Sequence, residues 1–258
     1  MVLARFRDAA IHRDRNLVYT VMPVHVEDQQ PPQLQFSSLG IKTPPPPRIV
    51  LRHLRNLIEA GLEHWTYRDP PEKVFRDIYR FLDEGWHNLS PNVRSGLREL
   101  PAVPVGGRMV KPSRLFFRLK EDLSPFLFEV PRAFGAFDVL FRALGTKPAP
   151  VAADYARLLR ELQADCGGAR LNPNELGAVL KAASLLAQEL QASAEQPGGG
   201  GGGELFVPDD RSMLVAREEC LFNDAPWLRG RVDPHQFRAV HPKMPLATCR
   251  LLGIAAVR

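Results

Sequence analysis

No run of about eighteen apolar residues occurs in this 258-residue sequence, so no segment reads as a bilayer-spanning helix. No signal peptide is read either: Met1-Val2-Leu3-Ala4 gives way to Arg5, Arg7 and Asp8 before an apolar segment can form. Cysteine is scarce. Cys166, Cys220 and Cys249 are an odd count, widely spread and without a C-x-x-C pair, which fits free thiols in a reducing compartment rather than a disulfide framework. Charge of one sign is also lacking, because 34 basic residues are interspersed with 29 acidic ones. Nucleic-acid binders concentrate their basic residues in a stripe or cluster. Here only Arg5 to Arg15 is biased, and it contains Asp8 and Asp14. Neither a nucleic acid nor a membrane is expected as a partner.

Motifs that carry chemistry are missing as well. Gly198 to Gly203 satisfies G-x-G-x-x-G only because six consecutive glycines satisfy any glycine pattern; without a strand before it or a Gly-Lys-Ser/Thr it reads as linker. None of His12, His25, His53, His64, His87, His235 and His241 lies in H-E-x-x-H or beside a cysteine at ligand spacing. His53 falls on an apolar helix face and reads as a hydrogen-bonded core residue. Cys166 precedes Gly167-Gly168 at a helix C-terminus, where the dipole disfavours a thiolate. Glu121-Asp122 and Asp209-Asp210 read as turn or solvated carboxylates, and no G-x-S-x-G elbow is present. Trp65, Trp86, Trp227, Phe116, Phe117, Phe126, Phe128 and Phe134 keep company with Leu, Val and Pro, as core residues do, rather than with clustered Arg and Lys. No catalytic, cofactor-binding or metal-ligating residue is assigned, no cofactor is expected, and the chain is not read as an enzyme.

What is present is 45% hydrophobic and 24% charged, enough apolar material for a packed core. The strongest signal is self-similarity at a spacing of 105 residues. Leu39-Gly40-Ile41-Lys42, prolines and a helical stretch are matched by Leu144-Gly145-Thr146-Lys147, prolines and a helical stretch. Further on, Glu99-Leu100-Pro101, Met109-Val110 and Leu115-Phe116 are matched by Glu204-Leu205-Phe206, Met213-Leu214 and Leu221-Phe222. The corner Asp122-Leu123-Ser124-Pro125-Phe126 is matched by Asp224-Ala225-Pro226-Trp227.

Periodicity predicts helices over about 48–60 (Ile49, His53, Leu54, Leu57, Ile58), 71–84 (Val74, Ile78, Phe81, Leu82) and 152–165 (Tyr155, Leu158, Leu159, Leu162). A fourth is predicted to open at Asn172-Pro173-Asn174-Glu175 with a capping box, then to present Leu176, Val179, Leu180, Ala183, Leu186, Ala187 and Leu190. Hairpins are predicted at 102–111 around Gly106-Gly107 and at 205–216 around Asp209-Asp210.

The expected fold is therefore α+β, with two tandem copies of a helix pair plus a β-hairpin or small antiparallel sheet. Residues 1–35 read as the tail of a preceding unit and 36–131 as the first unit. Residues 132–250 read as the second unit, with a Gly-rich loop at 196–203, and 251–258 as the start of another. Units opening and closing in mid-pattern suggest a fragment of a longer protein, since repeats lean on their neighbours for burial.

The strings at 205–214 (Leu-Phe-Val-Pro-Asp-Asp-Arg-Ser-Met-Leu) and 221–228 (Leu-Phe-Asn-Asp-Ala-Pro-Trp-Leu) resemble the repeats of the sacsin family. The stretch from His241-Pro242 to Leu252-Gly253-Ile254 is similar to the family's lead into the next unit. Residues 111–119, 123–126, 128–131 and 171–176 resemble plant and algal sacsin-like proteins more closely still. The resemblance covers most of the chain from about Phe36 onward. It implies a giant cytosolic protein whose repeats each start with an ATPase-like module related to the ninety-kilodalton heat-shock chaperone, and a role in protein quality control. The nucleotide-binding Asn-Asp and Asp-x-Gly-x-Gly elements of that module are absent, and Asn223-Asp224 stands in a different context. The chain corresponds to the scaffold part of a repeat, with adjacent repeats, client proteins or other chaperones as implied partners. Two other readings stand beside it: an enzyme fragment with a metal or other site assembled from His235, His241 and acids of the first unit, with Cys249 able in principle to approach the two histidines, and a basic nucleic-acid-binding segment.

Overall fold

The structure is a computed structural model that describes residues 9–25, 31–41, 43–194, 204–222 and 238–256. The chain forms two compact units, each of two chain segments: Met1–Phe117 with Glu129–Lys147, and Arg118–Phe128 with Pro148–Arg258. The fold class is α+β.

In the first unit, α1 (Pro47–Ala60) and α2 (Pro71–Gly85) both begin on proline, whose fixed φ suits a first turn and whose missing N–H costs nothing there. Helix α1 buries Val50, His53, Leu54 and Leu57, a stripe rotated slightly from the predicted one so that Ile49 and Ile58 are only half-buried. Helix α2 buries Val74, Phe75, Ile78, Tyr79 and Leu82, while Phe81 is half-buried. The periodicity had passed over Phe75 and Tyr79, and Tyr79 proves central. Its hydroxyl donates to the Ala102 carbonyl at 2.7 Å, and its ring meets Phe134, Phe141 and Phe137 at centroid distances of 5.0, 5.3 and 6.0 Å. Those three phenylalanines come from 129–147, which is why that segment packs with the first unit.

A short helix absent from the sequence reading, α3 (Pro91–Glu99), is capped by Ser90, whose Oγ accepts the Val93 N–H at 3.4 Å. The predicted hairpin follows as β1 (Val103–Val105) and β2 (Arg108–Val110), paired antiparallel, with Gly106 and Gly107 both at positive φ as a two-residue turn of this kind requires. A 3-10 turn over Pro112–Arg114 leads into β3 (Leu115–Phe116), both residues buried, and the chain passes through β4 (Phe128–Glu129) before returning. The Val130 N–H donates to the Phe116 carbonyl at 2.9 Å. Helix α4 (Asp138–Leu144), also unforeseen, ends at Gly145, and the Phe117 N–H closes the unit on the Lys147 carbonyl at 3.0 Å.

In the second unit, α5 (Ala152–Cys166) buries the predicted Tyr155, Leu158, Leu159 and Leu162 and stops at Gly167 in the left-handed region. Helix α6 (Pro173–Ala194) opens with the predicted capping box. Asn172 Oδ1 accepts the N–H groups of Asn174 and Glu175, both at 2.9 Å, and Glu175 Oε2 accepts the Asn172 N–H at 2.8 Å. The buried face is shifted from the predicted stripe: Val179, Ala183, Leu186 and Ala187 are buried together with Ala178, Ala182 and Leu185, while Leu176, Leu180 and Leu190 are only half-buried. It packs against α5 and against the next hairpin, β5 (Phe206–Pro208) with β6 (Leu214–Ala216).

That hairpin's turn is longer than the two residues expected at Asp209-Asp210. It runs from Asp209 to Met213, with Ser212 at φ 63°, because the Asp209 carboxylate accepts the N–H groups of both Arg211 and Met213. A 3-10 turn over Arg217–Glu219 leads into β7 (Cys220–Phe222). Beyond the two antiparallel hairpins there is a small parallel sheet that the sequence reading did not foresee: β7 lies between β8 (Arg238–Ala239) and β9 (Ala255–Ala256). Parallel neighbours need a crossover, and the connection from β8 to β9 runs through α7 (Leu246–Leu251), too short to show a period in the sequence. The Gly-rich loop at 196–203 and the 223–227 corner lie outside the described residues.

One turn occurs three times, at each Leu-Gly landmark. Gly40, Gly145 and Gly253 have φ of 71°, 104° and 71°. In each case the glycine N–H donates three residues back, to Ser37, Arg142 and Arg250. The next N–H donates five residues back, from Ile41 to Phe36 at 2.8 Å, from Thr146 to Phe141 at 2.9 Å and from Ile254 to Cys249 at 3.0 Å. This is the bond pattern of a Schellman cap, in which glycine enters the left-handed region without a Cβ penalty.

Candidate functional site

The residues raised by the enzyme reading are described only in part. His235 lies outside the described residues. His241 is buried, its Nδ1 accepts the Lys243 N–H at 3.2 Å, and burial together with the Lys243 charge lowers its pKa. Cys249 is buried and its thiol is pushed up by burial; Cys166 is raised by burial and then by Glu175 and Asp165. Among the described residues no group of three or more His, Cys, Asp or Glu side chains is placed to hold a metal ion. Glu121 and Asp122 are exposed, whereas Asp209, read from sequence as a turn carboxylate, is 1% exposed. Burial of Asp209 follows from its work inside the turn, and its Oδ2 has no hydrogen-bond partner among the described residues.

A polar cleft of about 280 Å³ lies in the first unit, lined by His12, Arg13, Arg15, Asn16, Arg68, Asp69, Lys73 and Asp77. One wall is a 3-10 helix over His12–Leu17, anchored by burial of Ile11, Leu17 and Val18. His53 of α1, fully buried, clamps this wall. Its Nε2–H donates to the Asn16 carbonyl at 3.1 Å, and its Nδ1 accepts from the Thr20 hydroxyl at 2.6 Å and the Thr20 N–H at 3.4 Å. With both ring nitrogens committed and water excluded, burial lowers the His53 pKa to about 4, so the ring is neutral.

The opposite wall is the loop ahead of α2 and that helix's first turns. Trp65 Nε1 donates to the Asp69 carbonyl at 2.8 Å, and the Trp65 and Tyr67 rings stack edgewise at 4.9 Å. Tyr67 in turn meets Tyr19 at 4.5 Å, so rings tie the loop to the N-terminal segment. These contacts fix the backbone that carries Arg68 and Asp69. Asn16 Nδ2, on a buried side chain, reaches across to Asp77 Oδ2 at 2.8 Å.

Most charges in the cleft are answered. Lys73 pairs with Asp69 at 3.1 Å, Arg80 with Asp77 at 3.3 Å, and Arg13 lies 3.8 Å from Asp14 while donating to Thr43 at 3.1 Å. Burial would raise the Asp69 pKa, but hydrogen bonds from Lys73 and Asn16 and the charges of Lys73 and Arg15 outweigh it and hold it below the usual value. Arg15 and Arg68 line the cleft without a carboxylate at ion-pair distance among the described residues. Such an arrangement favours a small anion. The basic bias of 5–15 was legible in the sequence, but its partners Arg68 to Asp77 lie more than fifty residues away and carry no motif.

Compared with known proteins, the chain is 26% identical to human sacsin (Homo sapiens) over 227 residues, which cover 82% of this chain and 5% of sacsin. Most of the chain is thus similar to one region of sacsin. No family model matches the chain, and no solved structure matches it. The sacsin-like sequence takes in most of both units, and the chain spans about a twentieth of the relative's length. No helix among the described residues is long and apolar enough to cross a membrane.

Proposed function

We propose that this chain is a non-catalytic scaffold and interaction segment of a chaperone-related, sacsin-like protein that works in protein quality control in the cytoplasm. The observation that carries the reading is the likeness to sacsin along most of the chain. A recurring unit is part of the same proposal. Helix pair, hairpin, 3-10 turn, buried strand and Leu-Gly turn follow one another in the first unit, and the same order returns in the second. The glycine turns at 40, 145 and 253 set the unit ends, so 132–147 closes the first unit rather than opening the second. Units of this kind bury their faces against neighbours, which makes adjacent repeats the first partners and client proteins or other chaperones the next.

The purified chain is expected to suppress light scattering from a thermally unfolding model client and to bind a separately made neighbouring repeat in calorimetry. If it does neither, the scaffold reading is lost.

A further inference from the structure

We propose that the cleft between the His12–Leu17 turn and the start of α2 is a binding site for a compact phosphate monoester that carries hydroxyl groups, such as a sugar phosphate. The proposal does not depend on the chaperone reading.

Four features of the cleft carry it. First, Arg15 and Arg68 bring guanidinium groups from two separate chain segments to one opening, and among the described residues neither is held by a carboxylate at ion-pair distance. Guanidinium forks match phosphate oxygens in bidentate fashion, and two of them from different walls converge on a dianion better than on a single carboxylate. Second, the amino-terminal turn of α2, a fifteen-residue helix, enters the same cleft at Lys73 and adds the positive end of its dipole. Third, the polar floor is not purely cationic. Asp69 and Asp77 are acceptors, and Asn16 is a buried amide held against Asp77, so the ester's hydroxyl groups would find acceptors beyond the phosphate. Fourth, about 280 Å³ lies near the lower end of small-molecule sites, roughly 300–1,000 Å³. That size admits a compact ester and is too small for a folded macromolecule.

Both walls are built to hold this geometry. His53 fixes the Asn16 backbone, and the Trp65–Tyr67–Tyr19 rings fix the loop that presents Arg68. A ligand bridging Arg15 and Arg68 would therefore join the 3-10 segment to α2. Its binding is expected to raise the melting temperature as well as to give a calorimetric signal.

The test is titration of the full chain with ribose 5-phosphate, inorganic phosphate and ribose, read by calorimetry and thermal melting. Saturable binding of ribose 5-phosphate is expected, with weaker binding of phosphate and none of ribose. Arg15→Ala and Arg68→Ala should each weaken binding about tenfold, and the exposed hairpin-tip variant Arg108→Ala should leave it unchanged. Unchanged melting of the unliganded variants would show that they fold. Should either variant melt early, Arg15→Gln and Arg68→Gln would replace it. The proposal is overturned if ribose 5-phosphate does not bind saturably, if Arg108→Ala weakens binding as much as the cleft variants, or if phosphate binds as tightly as the ester.

Discussion

In the first unit α2 meets a cluster of rings, whereas in the second α6 buries a face of its own made of aliphatic and alanine side chains. Tyr79 sits among Phe134, Phe137 and Phe141, with Phe75 beside it. Helix α6 instead buries Ala178, Val179, Ala182, Ala183, Leu185, Leu186 and Ala187, with Leu158, Leu159 and Leu162 buried on its partner α5. Large rings fill a wide gap with few side chains, and alanines suit a narrow one. Both units nevertheless carry a helix pair, an antiparallel hairpin and a 3-10 turn after it, and the turns at Gly145 and Gly253 are alike. Core filling is free to vary so long as volume is conserved, while a left-handed turn has one cheap solution. Any relationship between the units should therefore be sought at the turns and not in the core.

The largest effect should come from the aromatic core. Tyr79→Ala removes a fully buried ring and strands the Ala102 carbonyl, and about 3–5 kcal/mol of stability should be lost in chemical denaturation. Leu159→Ala, equally buried in α5, should cost roughly 2–5 kcal/mol. If the units unfold separately, the two variants should shift different transitions; one shared transition would show that they unfold together.

The second effect tests the clamp that belongs to the first unit alone. His53 has a folded pKa of about 4, below the 6.5 of an unfolded histidine, so between those values the unfolded chain binds the extra proton. Stability from the neutral ring is fully present above pH 6.5 and declines as pH falls toward 4, by on the order of 3 kcal/mol. Denaturation measured from pH 7 to pH 4 should show that slope, and His53→Gln should flatten it.

Much of this contrast could be read from the residues beforehand, but unevenly. The long helices, their capping box and the glycine hairpin follow from local chemistry: Asn172 with Glu175, and Gly106 with Gly107, need no distant partner to adopt their conformations. Helix α3 carried its Ser90-Pro91 start signal and was passed over, while α4 and α7, of seven and six residues, are too short for a period to register. Tyr79 was missed because a polar tip hid a core ring whose hydroxyl is satisfied by a carbonyl 23 residues away. The parallel pairing of β7 depends on a crossover, and the cleft depends on bringing Arg15 to Arg68; both are long-range facts with no local signature. His53 is the intermediate case, since its apolar face announced burial but not the Thr20 and Asn16 groups that hold it.

Smaller effects should mark what the units share. Gly145→Ala and Gly253→Ala place a Cβ in the left-handed region, at roughly 1–2 kcal/mol each. A new Cβ at Gly145 meets nothing within 4 Å, and at Gly253 it meets only Arg217 Nη1 at 3.8 Å, so backbone strain alone sets the cost. Similar losses at the two sites would support equivalent turns; a loss at one and none at the other would separate them. Gly177→Ala inside α6 is the opposite control, because the site is helical and open, and a gain of about 0.5–1 kcal/mol is expected.

The smallest effect distinguishes how the paired helices begin. Helices α1 and α2 start on prolines with no side-chain cap, while α6 starts with reciprocal bonds between Asn172 and Glu175. Asn172→Ala removes the acceptor for two backbone N–H groups at an exposed helix end, where water replaces it in part, so a loss of about 1 kcal/mol is expected. Asn172→Asp keeps an acceptor in the same place and should recover most of it. Measured by hydrogen exchange at the first turn of α6, the Ala variant should lose protection there while the rest of the helix, held by its contacts with α5, keeps it. Equal loss along the whole of α6 would mean that the cap, and not the packing of its alanine-rich face, sets the stability of the second unit.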